Sequence, residues 1–330
     1  MYDYHKNNNF QYKCVYQCDQ SNQWNYCSQY HFKVCKYDQN YSPSCFSSDR
    51  NIYTPWQSVP YAGQDSLPLP ETPDAGCWWL CFLKRDGNNN FLTPFGKPLD
   101  LNIKDPHTFM NLASEFLHIS NLQCNLTYEQ IQIAKYWGDG PATKQFMPIV
   151  DILIDTYSVP VSHASRILYI INGAINDTFR VTWYLKYLWN IIRPCQYNEC
   201  FKTVLCTPMH PSYPSGHATS AGCMAEILSF FFPGEREKLF MLAKQCANSR
   251  LYAGVHFKLD CDEGINLGIS IAKAILQYTS QQTDCHDEMI DKQYTTYKDA
   301  NIIPITLEQY IPFNRLVGCP SLLLDTGCHT

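Results

Sequence analysis

No apolar run in the chain approaches the ~20 residues that a helical membrane span requires. The most apolar stretches, near Ile149–Ile154, Ile167–Ile175 and Ala225–Phe232, are far shorter. No block of basic residues marks a membrane-surface patch, and a net charge of −5 over 330 residues argues against general nucleic-acid binding. A glycine fingerprint for a dinucleotide is missing too. The opening MYDYHKNNNFQYKC has no apolar signal-peptide core, so the expectation is a soluble chain that stays in the cytoplasm. Its 17 cysteines fit that compartment poorly, because disulfides are rare in most cytosols. Cys14, Cys18, Cys27, Cys35 and Cys45 form no paired C-x2-C knuckles, which gives little support to structural zinc. Free buried thiols are the expectation for the rest.

What is present is a set of oxyanion-binding residue types in three stretches. Lys186 stands seven residues before Arg193-Pro194 in KYLWNIIRP, and Pro214-Ser215-Gly216-His217 follows in HPSYPSGHATS. Ser249-Arg250, His256 and Asp260 complete the set in SRLYAGVHFKLD. Arginine offers oxyanions a planar fork of donors, and lysine adds a mobile point charge. Ser215 and Gly216 fall where ATSAGCMAEILSFFF should begin a helix, and a helix start presents unpaired N–H groups to an anion. Gly216 would let an oxyanion approach its amide closely. His217 is then placed as general acid or base. His256 and Asp260 are four apart and share a face if helical. The carboxylate could fix one ring nitrogen as N–H and free the other as nucleophile or metal ligand. Each piece alone has a bland reading: a solvated helix face, a turn with a cap, a surface contact. Together, in this order, they point to one site.

The pattern K-x6-RP, PSGH and SR-x5-H-x3-D resembles the signature of the acid phosphatase and vanadium haloperoxidase superfamily, the PAP2-like group. The resemblance covers about residues 106–281. It implies that Lys186, Arg193, Ser215, Gly216 and Arg250 bind the oxyanion. It also implies that His217 is the acid–base residue, and that His256 is the vanadium ligand or the nucleophile toward phosphorus. The flanks resemble the haloperoxidases more closely. Trp183 lies three before the lysine, Asp177 six before that tryptophan, and His210 seven before His217, as in algal bromoperoxidases. LTYEQIQIAKYWGDGP looks like a helix of bacterial haloperoxidase homologues. Trp183 also reads as a core aromatic, and His210 as an ordinary loop histidine.

The implied activity is vanadate-dependent oxidation of halide by hydrogen peroxide, bromide rather than chloride because of His210, with halogenation of a small organic substrate. Haem, flavin and nicotinamide are not needed. The alternative is a soluble acid phosphatase in which His256 attacks phosphomonoesters. A third reading is a non-catalytic coat protein cross-linked through its Cys/Tyr-rich arm. Hypohalite released beside so many thiols weighs against the first.

The expected fold is mainly α, a helical bundle with the site among the ends of four central helices. Residues 1–60 read as an irregular arm, 61–105 as a Pro-rich extended connection, 106–281 as the catalytic domain and 282–330 as a tail packed on it. Helices are predicted from Pro106 to about Ile119, after a capping box at Thr127 and Gln130, and from Val161 to about Trp189, stopped by Arg193-Pro194. Three more are predicted over 217–231, 235–252 and Asp260–Tyr278, the last with Gly264 and Gly268 in helix contact. Cys285, His286 and Asp287 read as an idle exposed cluster. The resemblance further implies a homodimer, with the N-terminal hundred residues abbreviating one of the two four-helix bundles usual in haloperoxidases.

Overall fold

The long helix predicted from Val161 forms as expected and organises the rest. In this computed structural model, which describes residues 50–304, 307–308, 319 and 321–324, it runs Val161–Trp189. Ile167, Ile170, Ile171, Ala174, Val181 and Leu185 recur at helical spacing and bury one stripe. Among the described residues the helices are α1 Leu112–Gln123, α2 Tyr128–Gly138, α3 Phe146–Thr156, α4 Val161–Trp189, α5 Pro194–Tyr197, α6 Gly216–Phe231, α7 Arg236–Tyr252 and α8 Lys258–Thr279. The fold is mainly α. No helix of the described residues is long and apolar enough to cross a membrane.

α6 is apolar or small on nearly every face and is buried between α4, α7 and α8. It lies so close to α8 that a Cβ on Gly268 would sit 2.0 Å from the Thr219 carbonyl oxygen. Glycine is the one residue that fits there. One apolar cluster joins α3, α4, α6, α7 and α8. A second gathers Trp56, Tyr61, Ile191, Ile192, Tyr213 and Phe257 beside the Arg193 segment.

The Pro-rich segment lies along α4 and carries a small antiparallel hairpin, β1 Lys84–Arg85 with β2 Phe91–Leu92. The segment after α8 is tied down by the Arg166–Asp291 ion pair and by the Glu235 carboxylate, which accepts from the Ala300 N–H. A disulfide joins Cys206 to Cys319, whereas Cys195, Cys223, Cys246 and Cys261 are free and buried. The five cysteines before Arg50, and most of the arm that holds them, lie outside the described residues.

Several boundaries differ from expectation, for local reasons. Asp105 caps only a single 3-10 turn over Pro106–Thr108, and α1 starts afresh where Asn111 accepts from Ser114 N–H. α4 ends at Asn190, whose left-handed φ of 56° closes it, before Arg193-Pro194 is reached. Pro194 instead opens the short α5, the first helical position where its missing N–H costs nothing. α3 escaped prediction because no side chain caps its start at Gln145.

Candidate active site

The Lys186 ammonium is fully buried at the end of α4, where it donates to the carbonyls of Pro211 and Ser212, each at 2.8 Å. Loss of water and the neighbouring Arg193 push its pKa well down. A solvated helix face is therefore ruled out for this lysine. Its two bonds also tether the loop before PSGH to α4.

Arg193, equally buried, donates from Nε to the His210 carbonyl at 2.9 Å and from Nη1 to the Val255 carbonyl at 2.6 Å. Nη1 also lies 3.1 Å from His256 Nε2, and Nη2 3.0 Å from His210 Nδ1. A guanidinium only donates, so both ring nitrogens must be acceptors. This fixes the tautomers. His256 carries its proton on Nδ1, and His210 on Nε2, because the contact with Arg193 outweighs the 3.2 Å contact of His210 Nδ1 with the Pro211 carbonyl.

His256 Nδ1 donates to Asp260 Oδ2 at 2.9 Å. The pair is not helical, contrary to expectation. His256 precedes the Phe257 N-cap of α8, and Asp260 reaches back from the first turn to accept Phe257 N–H at 2.9 Å. Helix capping supplies the proximity that a shared face was expected to give. Ser212 donates its hydroxyl to the same oxygen at 2.5 Å. Sequence reasoning missed Ser212; its only signal was its place two residues before Pro214. Burial raises the Asp260 carboxyl and depresses both His256 and His210.

Ser215 caps α6 through its hydroxyl, which accepts from Ala218 N–H. A Cβ added to Gly216 would meet only Phe179 and Trp183, at 3.6 and 3.7 Å, so packing does not demand glycine there. His217, in the first turn of α6, is held by the Trp137 carbonyl. Its Nε2 is buried without a partner among the described residues. Burial first, then Arg250 and Lys186, keep the ring neutral by pushing its pKa well down. Arg250 is buried in the last turn of α7, and its charge acts on Lys186, His217 and His256 together.

One wall is aromatic. Trp183 and His210 have ring centroids 4.7 Å apart. The Glu71 carbonyl accepts from Tyr187 hydroxyl at 2.9 Å and from Trp183 Nε1 at 3.4 Å, which folds the Pro-rich segment against this side. Asp177 lies away from the cluster. Its carboxylate accepts the N–H groups of Cys81, Phe82 and Leu83 at 2.6–2.8 Å and anchors that loop on α4.

Three buried cations thus surround one buried carboxylate, with an unpaired imidazole nitrogen and a helix start beside them. A multiply charged tetrahedral anion satisfies this donor set, and orthovanadate and phosphate both fit that description.

Residues 164–284 match the family model described as PAP2 superfamily. The structure is similar to that of a bacterial vanadium-dependent iodoperoxidase, at 20% identity and TM-score 0.54, over 68% of this chain and 60% of that one. It is also similar to an apo-type bacterial vanadium-dependent chloroperoxidase, at 14% identity and TM-score 0.52, over 69% and 62%. The chain therefore spans less than two thirds of either protein, and at such identities the likeness concerns the fold. A transmembrane PAP2 type phosphatidylglycerolphosphate phosphatase from Bacillus subtilis overlaps at 19% identity and TM-score 0.29, over 52% of this chain and 98% of that one, too low to bear on the argument. No curated protein sequence matches the chain. The segment that matches the PAP2 superfamily model thus holds every cation and histidine of the cluster, and the fold is similar to that of the vanadium haloperoxidases.

Proposed function

We propose that the chain is a vanadate-dependent haloperoxidase that oxidises halide, bromide by preference, with hydrogen peroxide, and so halogenates small organic molecules. The observation that carries this reading is the buried convergence of Lys186, Arg193 and Arg250 on His256, whose proton is fixed on Nδ1 by Asp260. The Trp183–His210 wall favours halide over phosphomonoester chemistry, because a ring N–H of His210 beside a bulky indole suits a small polarisable anion better than an organic phosphate. Burial supports it as well. The cations and His256 are each at most 2% exposed, which suits substrates as small as peroxide and halide better than an organic phosphate.

Orthovanadate, when bound, supplies a Lewis acid that activates peroxide. Lys186, Arg193 and Arg250 offset the anion's charge, and the Gly216 N–H and Ser215 hydroxyl hold its oxygens. His256 offers the Nε2 lone pair, which Arg193 Nη1 otherwise occupies. His217, with its Nε2 unpartnered among the described residues, would hold or release a proton beside the bound anion as general acid or base. The His210 Nε2–H and the Trp183 face hold the halide.

The test is bromination of a phenol by the metal-free protein with peroxide and bromide, with and without orthovanadate. Activity that appears with vanadate is expected. Its absence, together with phosphomonoester hydrolysis that vanadate inhibits, would replace this reading by that of a soluble phosphatase using His256 as nucleophile.

A further inference from the structure

Gly138, the last residue of α2, is not demanded by its backbone, because it does not adopt the left-handed φ that favours glycine. Helix propensity alone would favour alanine there. What excludes a side chain is space. A Cβ on Gly138 would lie 2.2 Å from Leu205 Cδ1 and 2.5 Å from Arg250 Nη1. No ordinary contact is so short, so a neighbour would have to move. Both neighbours are the far ends of side chains, and their surroundings differ. Leu205 is the edge of an apolar cluster with Leu126, Ile131 and Val255. Arg250 is a buried cation whose charge acts on Lys186, His217 and His256. Displacing its guanidinium would shift a charge inside the site. The preceding residue of the same turn, Trp137, holds His217 through its carbonyl. The final turn of α2 therefore borders both a cation of the site and its acid–base histidine.

We propose that Gly138 is a positioning residue, whose missing side chain forms the slot that seats the Arg250 guanidinium against the oxyanion. This rests on the reading that Arg250 binds that anion. The slot joins residues more than a hundred positions apart, so no local motif announces it.

The experiment is calorimetric titration of the full chain with inorganic phosphate and with orthovanadate, alongside thermal unfolding. Arg250→Ala should weaken both anions. Gly138→Ala should weaken them by about tenfold or more, the loss expected when a charge-assisted hydrogen bond is displaced. Leu205→Ala should bind close to wild type. Gly138→Ala/Leu205→Ala relieves the collision with Leu205 and keeps that with Arg250, so affinity should stay as low as in Gly138→Ala, whatever the truncated core residue costs in thermal midpoint. Adding Gly138→Ala to Arg250→Ala should cost nothing further. Affinity that recovers in the Leu205→Ala background would overturn the proposal. So would wild-type affinity in Gly138→Ala alongside a loss in Arg250→Ala. If Arg250→Ala itself binds like wild type, the role given to Arg250 falls, and the proposal falls with it.

Discussion

Replacing Asp260 by asparagine separates two contributions that the site combines. Asp260 Oδ2 accepts three donors, from Ser212 hydroxyl, His256 Nδ1–H and Phe257 N–H, whereas Oδ1 is buried with no partner among the described residues. In Asp260→Asn the amide oxygen takes the place of Oδ2 and keeps all three. The NH2 then enters the place of Oδ1, where it finds no acceptor and costs about 1–3 kcal/mol of stability. The variant also removes a carboxylate whose charge acts on Lys186 and Arg193, so phosphate, held mainly by charge, should bind as well as before or better. Orthovanadate should behave differently, because His256 now donates to a weaker acceptor and its Nε2 becomes a poorer ligand. Loss of such an outer partner typically costs 10–100-fold in affinity, about 1.4–2.7 kcal/mol. Calorimetric titration with both anions, with urea unfolding as the stability control, reads the two effects side by side. Equal losses for phosphate and vanadate would refute the reasoning, since Asp260 would then act on the anion site as a whole and not through His256.

Other consequences follow from the same geometry. His217→Ala should keep the bound anion but lose turnover by roughly 10²–10⁴-fold, as removal of an acid–base group commonly does; parallel loss of binding would count against that role. Asp177→Ala should destabilise the fold by about 3–5 kcal/mol, because three backbone N–H groups lose their shared acceptor, while anion affinity in the folded protein is unchanged. Acid should destabilise the anion-free protein. His210 and His256 have pKa values below the ordinary ~6.5, so below that pH the unfolded chain binds protons that the native state refuses. Each contributes up to ~1.4 kcal/mol per pH unit, while the raised Asp260 carboxyl opposes the trend because the native state holds its proton to higher pH. Urea midpoints that rise as pH falls from 7 to 5.5 would contradict this balance.

The sequence was most informative where several charged and titratable residues recur at fixed spacing. Lys186, Arg193, Ser215, His217, Arg250, His256 and Asp260 stand in ordered, spaced stretches, and the structure brings them to one place. Their local settings were less legible. The spacing of four let His256 and Asp260 share a face if helical, yet His256 precedes the N-cap of α8, because that spacing fits a capping loop as well as a helical turn. The stop for α4 was assigned to Arg193-Pro194, yet Asn190 adopts the left-handed cap first, and asparagine signals this only weakly. Ser212 and Gly138 were invisible as site-forming residues. Each acts through a neighbour far along the chain, Asp260 or Arg250, and pairing across such distances leaves no periodic trace. The worry that released oxidant would attack the thiols also changes with the structure. Cys195, Cys246 and Cys261 border site residues, yet burial pushes each thiol pKa up and keeps it in its less reactive protonated form.

If these residues form one oxyanion site, His256 should be its covalent ligand. Orthovanadate binding to the full chain, compared between wild type and His256→Ala, tests it most directly. One tight site is expected in the wild type and its loss in the variant, with weak phosphate binding retained through Lys186, Arg193 and Arg250. Vanadate held as tightly without His256 would contradict it.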